Sequence, residues 1–145
     1  MPSPKTGVFV RYCRFMKLIS RVLIALVILL HLYIAWFEIF AWTDVGPDVF
    51  STLDPGIFPE TTEIAVNQGV YNLFLAAGLA WSLVIGDPLW RFRVAICFLA
   101  FVAIAGLTAS ATLAVPNGLP QLVPSVLAIV ATSLSYRTET GQASP

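Results

Sequence analysis

The sequence predicts an all-α membrane protein, a four-transmembrane-helix bundle with both termini cytoplasmic. Composition points there first. Of its 145 residues, 58% are hydrophobic and only 11% charged, with a mean hydropathy of +0.84, whereas a water-facing globule carries about 25% charged residues. Four segments each supply the roughly 20 mostly apolar residues that cross about 30 Å of hydrocarbon. The charges are also segregated along the chain, every basic residue falling on one predicted side.

The length allows one domain at most. Residues 1–17 read as a cytoplasmic, interfacial N-terminal segment. Residues 18–136 form the transmembrane domain, with spans at about 18–42, 63–85, 92–113 and 119–136, and residues 137–145 are a polar cytoplasmic tail. A basic stretch before an apolar run also describes a secretory signal. Here the run is too long, holds His31 and Glu38 and precedes no small-residue cleavage pattern, so it reads as a retained first helix.

The connections are punctuated by turn residues. Gly86-Asp87-Pro88 separates the second and third spans, and Pro116-Asn117-Gly118 the third and fourth. Pro120 suits a first helical turn, which has no partner for the missing N–H, and Pro124 lies barely further in. The longest connection, about 43–62, holds Pro47, Pro55, Gly56 and Pro59 and reads as a solvated loop.

Orientation follows from the cations. Lys5, Arg11, Arg14, Lys17 and Arg21 precede the first span, Arg91 and Arg93 lie in the second connection, and Arg137 follows the last span. With an even number of spans these regions share one side, which the positive-inside rule makes cytoplasmic. The first connection carries Asp44, Asp48, Asp54 and Glu60 and no cation. The expected location is therefore the plasma membrane, the bacterial inner membrane. Phe9, Tyr12, Phe15 and Met16 interleave with Arg11, Arg14 and Lys17, which suits a helix extension anchored among headgroups. Trp42 and Trp90 fall at predicted interfaces.

Candidate functional residues are the polar ones inside the spans. His31 and Glu38 are seven residues apart, which brings them within about 20° of one direction and about 10 Å apart along a helix. Trp42 continues that stripe. Ionisable residues in a membrane face the bundle interior and are functional candidates by default. In the second span Asn67 pairs with Tyr71 and Gln68 with Asn72 at i, i+4 spacing, making two adjacent polar ridges. Thr108, Ser110, Thr112, Gln121 and Ser125 add polarity to the outer halves of the last two spans. The pattern suggests a polar pocket opening outward, lined by Glu38, His31, Trp42, Asn67, Gln68, Tyr71, Asn72 and Gln121. Ser110, Thr112 and Ser125 fit better the ordinary role of interhelical hydrogen bonding, which Asn67, Gln68 and Asn72 fit as well as they fit a pocket. The small residues Ala76, Ala77, Gly78 and Ala80, with Ala100, Ala103, Ala105, Gly106 and Ala109, mark close helix contacts.

The string Asn67-Gln68-Gly69-Val70-Tyr71-Asn72-Leu73-Phe74-Leu75-Ala76-Ala77-Gly78-Leu79 closely resembles the signature of a bacterial four-helix integral membrane family, domain of unknown function 1304. His31, Tyr33, Glu38 and Trp42 look like that family's first-helix pattern, and Gln121 with Pro124 like the opening of its last helix. The resemblance extends from about residue 22 to 134. It implies a four-helix membrane protein and no established activity.

Several chemistries are excluded by what the chain lacks. Cys13 and Cys97 both fall toward the cytoplasmic side, and there is no Cys-x-x-Cys for thiol redox work at the outer face. One histidine cannot build a three-ligand zinc site or a bis-histidine haem site within one chain. No phosphate-binding glycine loop or nucleophile elbow is present, and no metal or cofactor is expected. A net charge of zero gives no reason to expect nucleic acid.

Three readings remain. The first is binding or transport of a small lipophilic or cationic ligand, with proton linkage through carboxyl or imidazole chemistry. The second is an enzyme on a lipophilic substrate, with Glu38 and His31 as an acid–base pair. The third is a non-catalytic accessory subunit. The expected partners are the lipid bilayer, such a ligand and, in a bundle this small, a second copy of the chain.

Overall fold

The computed structural model describes residues 4–141, with side chains from Gly7 onward. Six helices follow one another: α1 (Pro4–Phe40), α2 (Trp42–Val49), α3 (Ile57–Glu60), α4 (Thr62–Val84), α5 (Pro88–Thr112) and α6 (Val115–Glu139). No strand occurs among the described residues. The surface is apolar: Phe40 is 74% exposed and Val84 79%, while Ala35, Ala76, Ala95 and Ala128 are buried. Large apolar side chains outside and small ones inside are what lipid-facing helices require, because small residues let backbones approach where lipid covers the rest.

Three helices are long and apolar enough to cross a membrane: α1 over Gly7–Phe40, α5 over Pro88–Thr112 and α6 over Val115–Glu139. The protein is thus a multi-pass membrane protein. The expectation of four such helices is corrected at α4, which has 23 residues but carries Asn67, Gln68 and Asn72 in one stretch. Those carboxamides leave the helix long enough yet too polar to qualify by composition.

Other boundaries also differ from the sequence expectation. Helix α1, with 37 residues, is about 55 Å long and takes in most of the basic segment expected to lie before the first span. It stops at Phe40, and Ala41 is non-helical. Trp42 therefore opens α2 instead of prolonging the Glu38 stripe. The connection expected as a loop folds into α2 and α3, with Gly56 N–H donating to Asp54 Oδ1 at 2.7 Å in the turn between them. Asp87 and Pro88 act as expected: Asp87 accepts from Trp90 N–H as the N-cap, and Pro88 opens α5. At the next connection the break falls at Leu113–Ala114, and Asn117 and Gly118 are helical. Pro116 starts the helix because the first turn has no use for its N–H. Pro120 and Pro124 lie inside α6, each removing one helical hydrogen bond.

By compactness the chain divides into two units, where the length suggested a single domain. One consists of residues up to Val27 together with those from Gly78 onward, and the other is Ile28–Ala77.

In the first unit, α5 and α6 meet backbone to backbone. A Cβ at Gly118 would collide with the carbonyl oxygen of Gly106 and with Ser110, and one at Gly106 would lie 2.6 Å from the amide nitrogen of Leu122. Phe92 and Tyr136 stack at 4.4 Å between ring centres. Ser20 of α1 shares a buried 2.8 Å hydrogen bond with Thr132 of α6. In the second unit, Gly69 of α4 sits against α1, where a Cβ would lie 2.5 Å from Ile39 Cγ1 and 3.1 Å from the carbonyl oxygen of Ala35. Phe37, Trp42, Phe50 and Phe58 form an aromatic cluster in edge-to-face and tilted contacts at the end of α1, and Phe58 is fully buried.

Backbone cannot move aside as a side-chain tip can, so Gly118→Ala should cost about 1–3 kcal/mol and lower the thermal midpoint of the detergent-solubilised protein. Gly86, with nothing near its missing Cβ, supplies the control: Gly86→Ala should leave that midpoint almost unchanged.

Candidate functional site

The candidate site lies in the second unit, where α1 and α4 run side by side. Its foundation is the stripe on α1 that passes through His31, Ala35 and Glu38. His31 and Ala35 are buried and Glu38 is half-buried, the spacing of four and three residues keeping them on one helical face. On α4 the facing residues are Ala65, Gly69 and Ala76, all buried, with half-buried Asn72 among them. Gly69 allows the close approach that carries Asn72 to Glu38. Asn72 Nδ2 donates to Glu38 Oε2 at 2.8 Å and to the backbone carbonyl of Gln68 at 3.2 Å. Both amide hydrogens are then used, and the second bond fixes the carboxamide's direction. A carboxylate at the centre of a span costs about 2.5–3.5 kcal/mol on insertion scales and less toward an end, where Glu38 lies, and a positioned N–H donor offsets part of that.

The eight sequence-predicted site residues separate into groups. Glu38 and Asn72 meet directly. His31 is fully buried on the same face of α1. Asn67, Gln68 and Tyr71 are exposed and line a shallow outer groove on α4 with Glu63 and Ile64. Of the two polar ridges on α4, then, only Asn72 turns toward the carboxylate. The helix presents one face to α1, and 100° per residue sends the neighbours elsewhere.

Trp42 belongs to the aromatic cluster. Its indole Nε1 donates to Thr61 Oγ1 at 3.0 Å, and Thr61 Oγ1 donates in turn to the carbonyl of Ile57 at 2.7 Å. The break at Ala41 is what redirects it. Gln121 is half-buried on α6 in the first unit.

The hydroxyls of the outer halves of α5 and α6 bond mainly within their own helices, where interhelical bonding is expected of Ser110, Thr112 and Ser125. Thr108, Ser110, Thr112 and Ser125 each donate to a carbonyl three or four residues back in their own helix. Such back-bonding satisfies a hydroxyl in an apolar setting without a partner helix. Ser110 also reaches the carbonyl of Val115 at the start of α6, at 3.4 Å. A further interhelical hydroxyl bond, Ser20 to Thr132, joins residues 112 positions apart, and no local pattern marks either one. Among the described residues no three His, Cys, Asp or Glu side chains gather as a metal-binding group.

Residues 25–133 match the family described as protein of unknown function (DUF1304). The chain belongs to that family. No curated protein and no solved structure matches it. The matched stretch contains both Glu38 and Asn72, whereas Lys17, Ser20 and Glu139 lie outside it.

Asn72→Leu leaves the Glu38 carboxylate without its donor and should destabilise the protein by about 1–3 kcal/mol. Glu38→Gln keeps an acceptor oxygen for Asn72 and should cost less. Thermal unfolding of both variants in one detergent checks the order.

Proposed function

We propose that this chain spans the bacterial inner membrane four times with both termini cytoplasmic. In that reading it binds or transports a small lipophilic or cationic ligand at Glu38, with proton exchange at the carboxyl. The observation that carries the reading is the Glu38–Asn72 hydrogen bond. One carboxylate oxygen is engaged and the group is held in a fixed direction, while the second oxygen is available to accept from an ammonium or hydroxyl. A membrane carboxylate kept for packing alone would be replaceable by an apolar side chain at lower insertion cost.

Helix α4 supplies the fourth span in this reading. Its 23 residues cover about 34 Å, enough for the hydrocarbon core. The most deeply placed of its carboxamides, Asn72, is already hydrogen-bonded. An even number of spans returns both ends of the chain to one side, where Arg14, Lys17, Arg21, Arg91, Arg93 and Arg137 satisfy the positive-inside rule.

A second reading rests on a different observation. Asn67, Gln68 and Tyr71 face outward from α4, and carboxamides donate as well as accept, so the same ridge on a second copy could pair with them. That favours a homo-oligomer or an accessory subunit.

The test uses purified protein in liposomes with ethidium as a lipophilic cation. Uptake driven by a pH gradient should occur with wild-type protein and fall by at least about tenfold, over 1.4 kcal/mol, in Glu38→Gln. The variant should still elute like wild type and melt above Asn72→Leu. Unchanged uptake in Glu38→Gln, or none in the wild type, would remove the transport reading. Turnover of a co-purified lipid lost in both Glu38→Gln and His31→Ala would instead favour the membrane enzyme.

A further inference from the structure

The basic end of the first unit contains polar features that the Glu38 reading does not use. Two adjoining cavities lie there. The smaller, of about 30 Å³, is lined by Lys17, Ser20, Arg21, Arg91, Thr132 and Glu139 among others. That is room for about one water molecule. The larger, of about 250 Å³, is lined by Val10, Cys13, Arg14, Lys17, Thr138 and Glu139 among others. Lys17, Ser135 and Glu139 border both cavities. The wall between them is an ion-pair network: Lys17 Nζ donates to Glu139 Oε1 at 3.1 Å and Arg91 Nη2 donates to Glu139 Oε2 at 2.6 Å.

The charge is unbalanced. Arg14, Lys17, Arg21 and Arg91 line the two cavities, and Glu139 is the only carboxylate among the lining residues. Arg91 is held in place from two sides, since its Nη1 also donates to the carbonyl of Ile85 at 3.5 Å. Stacked Phe92 and Tyr136 close the α5–α6 side of the smaller cavity. Glu139 is the least secure member. It is the last residue of α6, where the helix dipole disfavours an anion, and its pairs with Lys17 and Arg91 are partly exposed, a setting in which ion pairs are weak.

We infer that this end of the molecule is a binding site for the phosphate of an anionic phospholipid, and that Glu139 occupies its two cations as an internal substitute until the lipid displaces it. A phosphodiester offers two anionic oxygens to Lys17 and Arg91, as the carboxylate does, and brings Arg14 and Arg21 within its field. Swinging Glu139 away merges the two cavities into space for a headgroup. The acyl chains then lie along the exposed apolar surface of α1, which presents Phe15, Leu18 and Val22 within a turn of Arg14, Lys17 and Arg21 along the helix. A basic pocket between membrane helices is the usual setting for such a headgroup. A free phosphate ion would gain the charges but none of that apolar surface, which is why the lipid is the assigned ligand.

Native mass spectrometry of the full chain in mild detergent tests this, with phosphatidylglycerol and phosphatidylcholine added in equal amounts. Wild type should retain phosphatidylglycerol in excess, and Glu139→Gln should raise that excess about fivefold, the effect of about one charge near a membrane surface. Lys17→Gln with Arg91→Gln should abolish it. Should that double variant fail to fold, Arg14→Gln, which removes a cation outside the Glu139 network, should lower the excess while eluting like wild type. Equal retention of the two lipids by wild type, or an excess untouched by folded cation variants, would overturn the site. Displacement of the lipid by millimolar inorganic phosphate would overturn the lipid assignment.

Discussion

In a molecule whose outer surface is already apolar, bringing two helices together gains little from the hydrophobic effect, since lipid covers them as well as another helix does. The Glu38 carboxylate therefore sets the hardest condition on the fold. It sits inside the first span, and something must donate to it. Asn72 does so at 2.8 Å, and that one bond requires α4 to lie against α1 in a single register. Gly69 makes the register reachable, because any side chain there would meet Ile39 and the backbone of Ala35. The polar residue at position 72 and the missing one at position 69 form one device.

Elsewhere the same economy is met by different means. Along α5 and α6 the closest approach is made by Gly106 and Gly118, and nearby hydroxyls bond to their own helix, Ser110 reaching the carbonyl of Val115 on α6 as well. Between α1 and α6 the Ser20–Thr132 bond is the buried polar tie, and beyond it the Glu139 carboxylate joins Lys17 to Arg91. In the second unit an aromatic cluster does the corresponding work. Trp42 and Phe50 pack on Phe37 at the end of α1, Phe58 packs on Trp42, and Thr61 accepts the indole N–H. Small residues, hydroxyls and aromatic edges each supply packing that burial alone does not provide in lipid.

Part of the site was legible in the sequence. Glu38 stood out because a carboxyl within an apolar run has few ordinary explanations, and Asn72 because carboxamides recur at i, i+4 along α4. The two ridges of α4 look equivalent in the sequence and are not so in the fold. A helix contacts its neighbour along one stripe, and small Ala65, Gly69 and Ala76 mark that stripe more reliably than the polar residues do. A helical period continued through Ala41 puts Trp42 on the Glu38 stripe, but α1 ends before Ala41. The Lys17–Glu139–Arg91 network had no local signal at all, since its members are 48 and 122 residues apart.

By itself the sequence determined the all-helical class, the membrane environment and three of the four expected spans, those both long and apolar enough to cross, because these depend on composition and on runs of neighbouring residues. It also named the family. Only the tertiary structure decided which carboxamide faces the carboxylate, where α1 stops, that the long connection folds into α2 and α3, and which cations share Glu139. Those choices depend on which helical faces meet. Meeting faces are set by close contacts between residues distant in the chain, and periodicity within one segment carries no record of its neighbour.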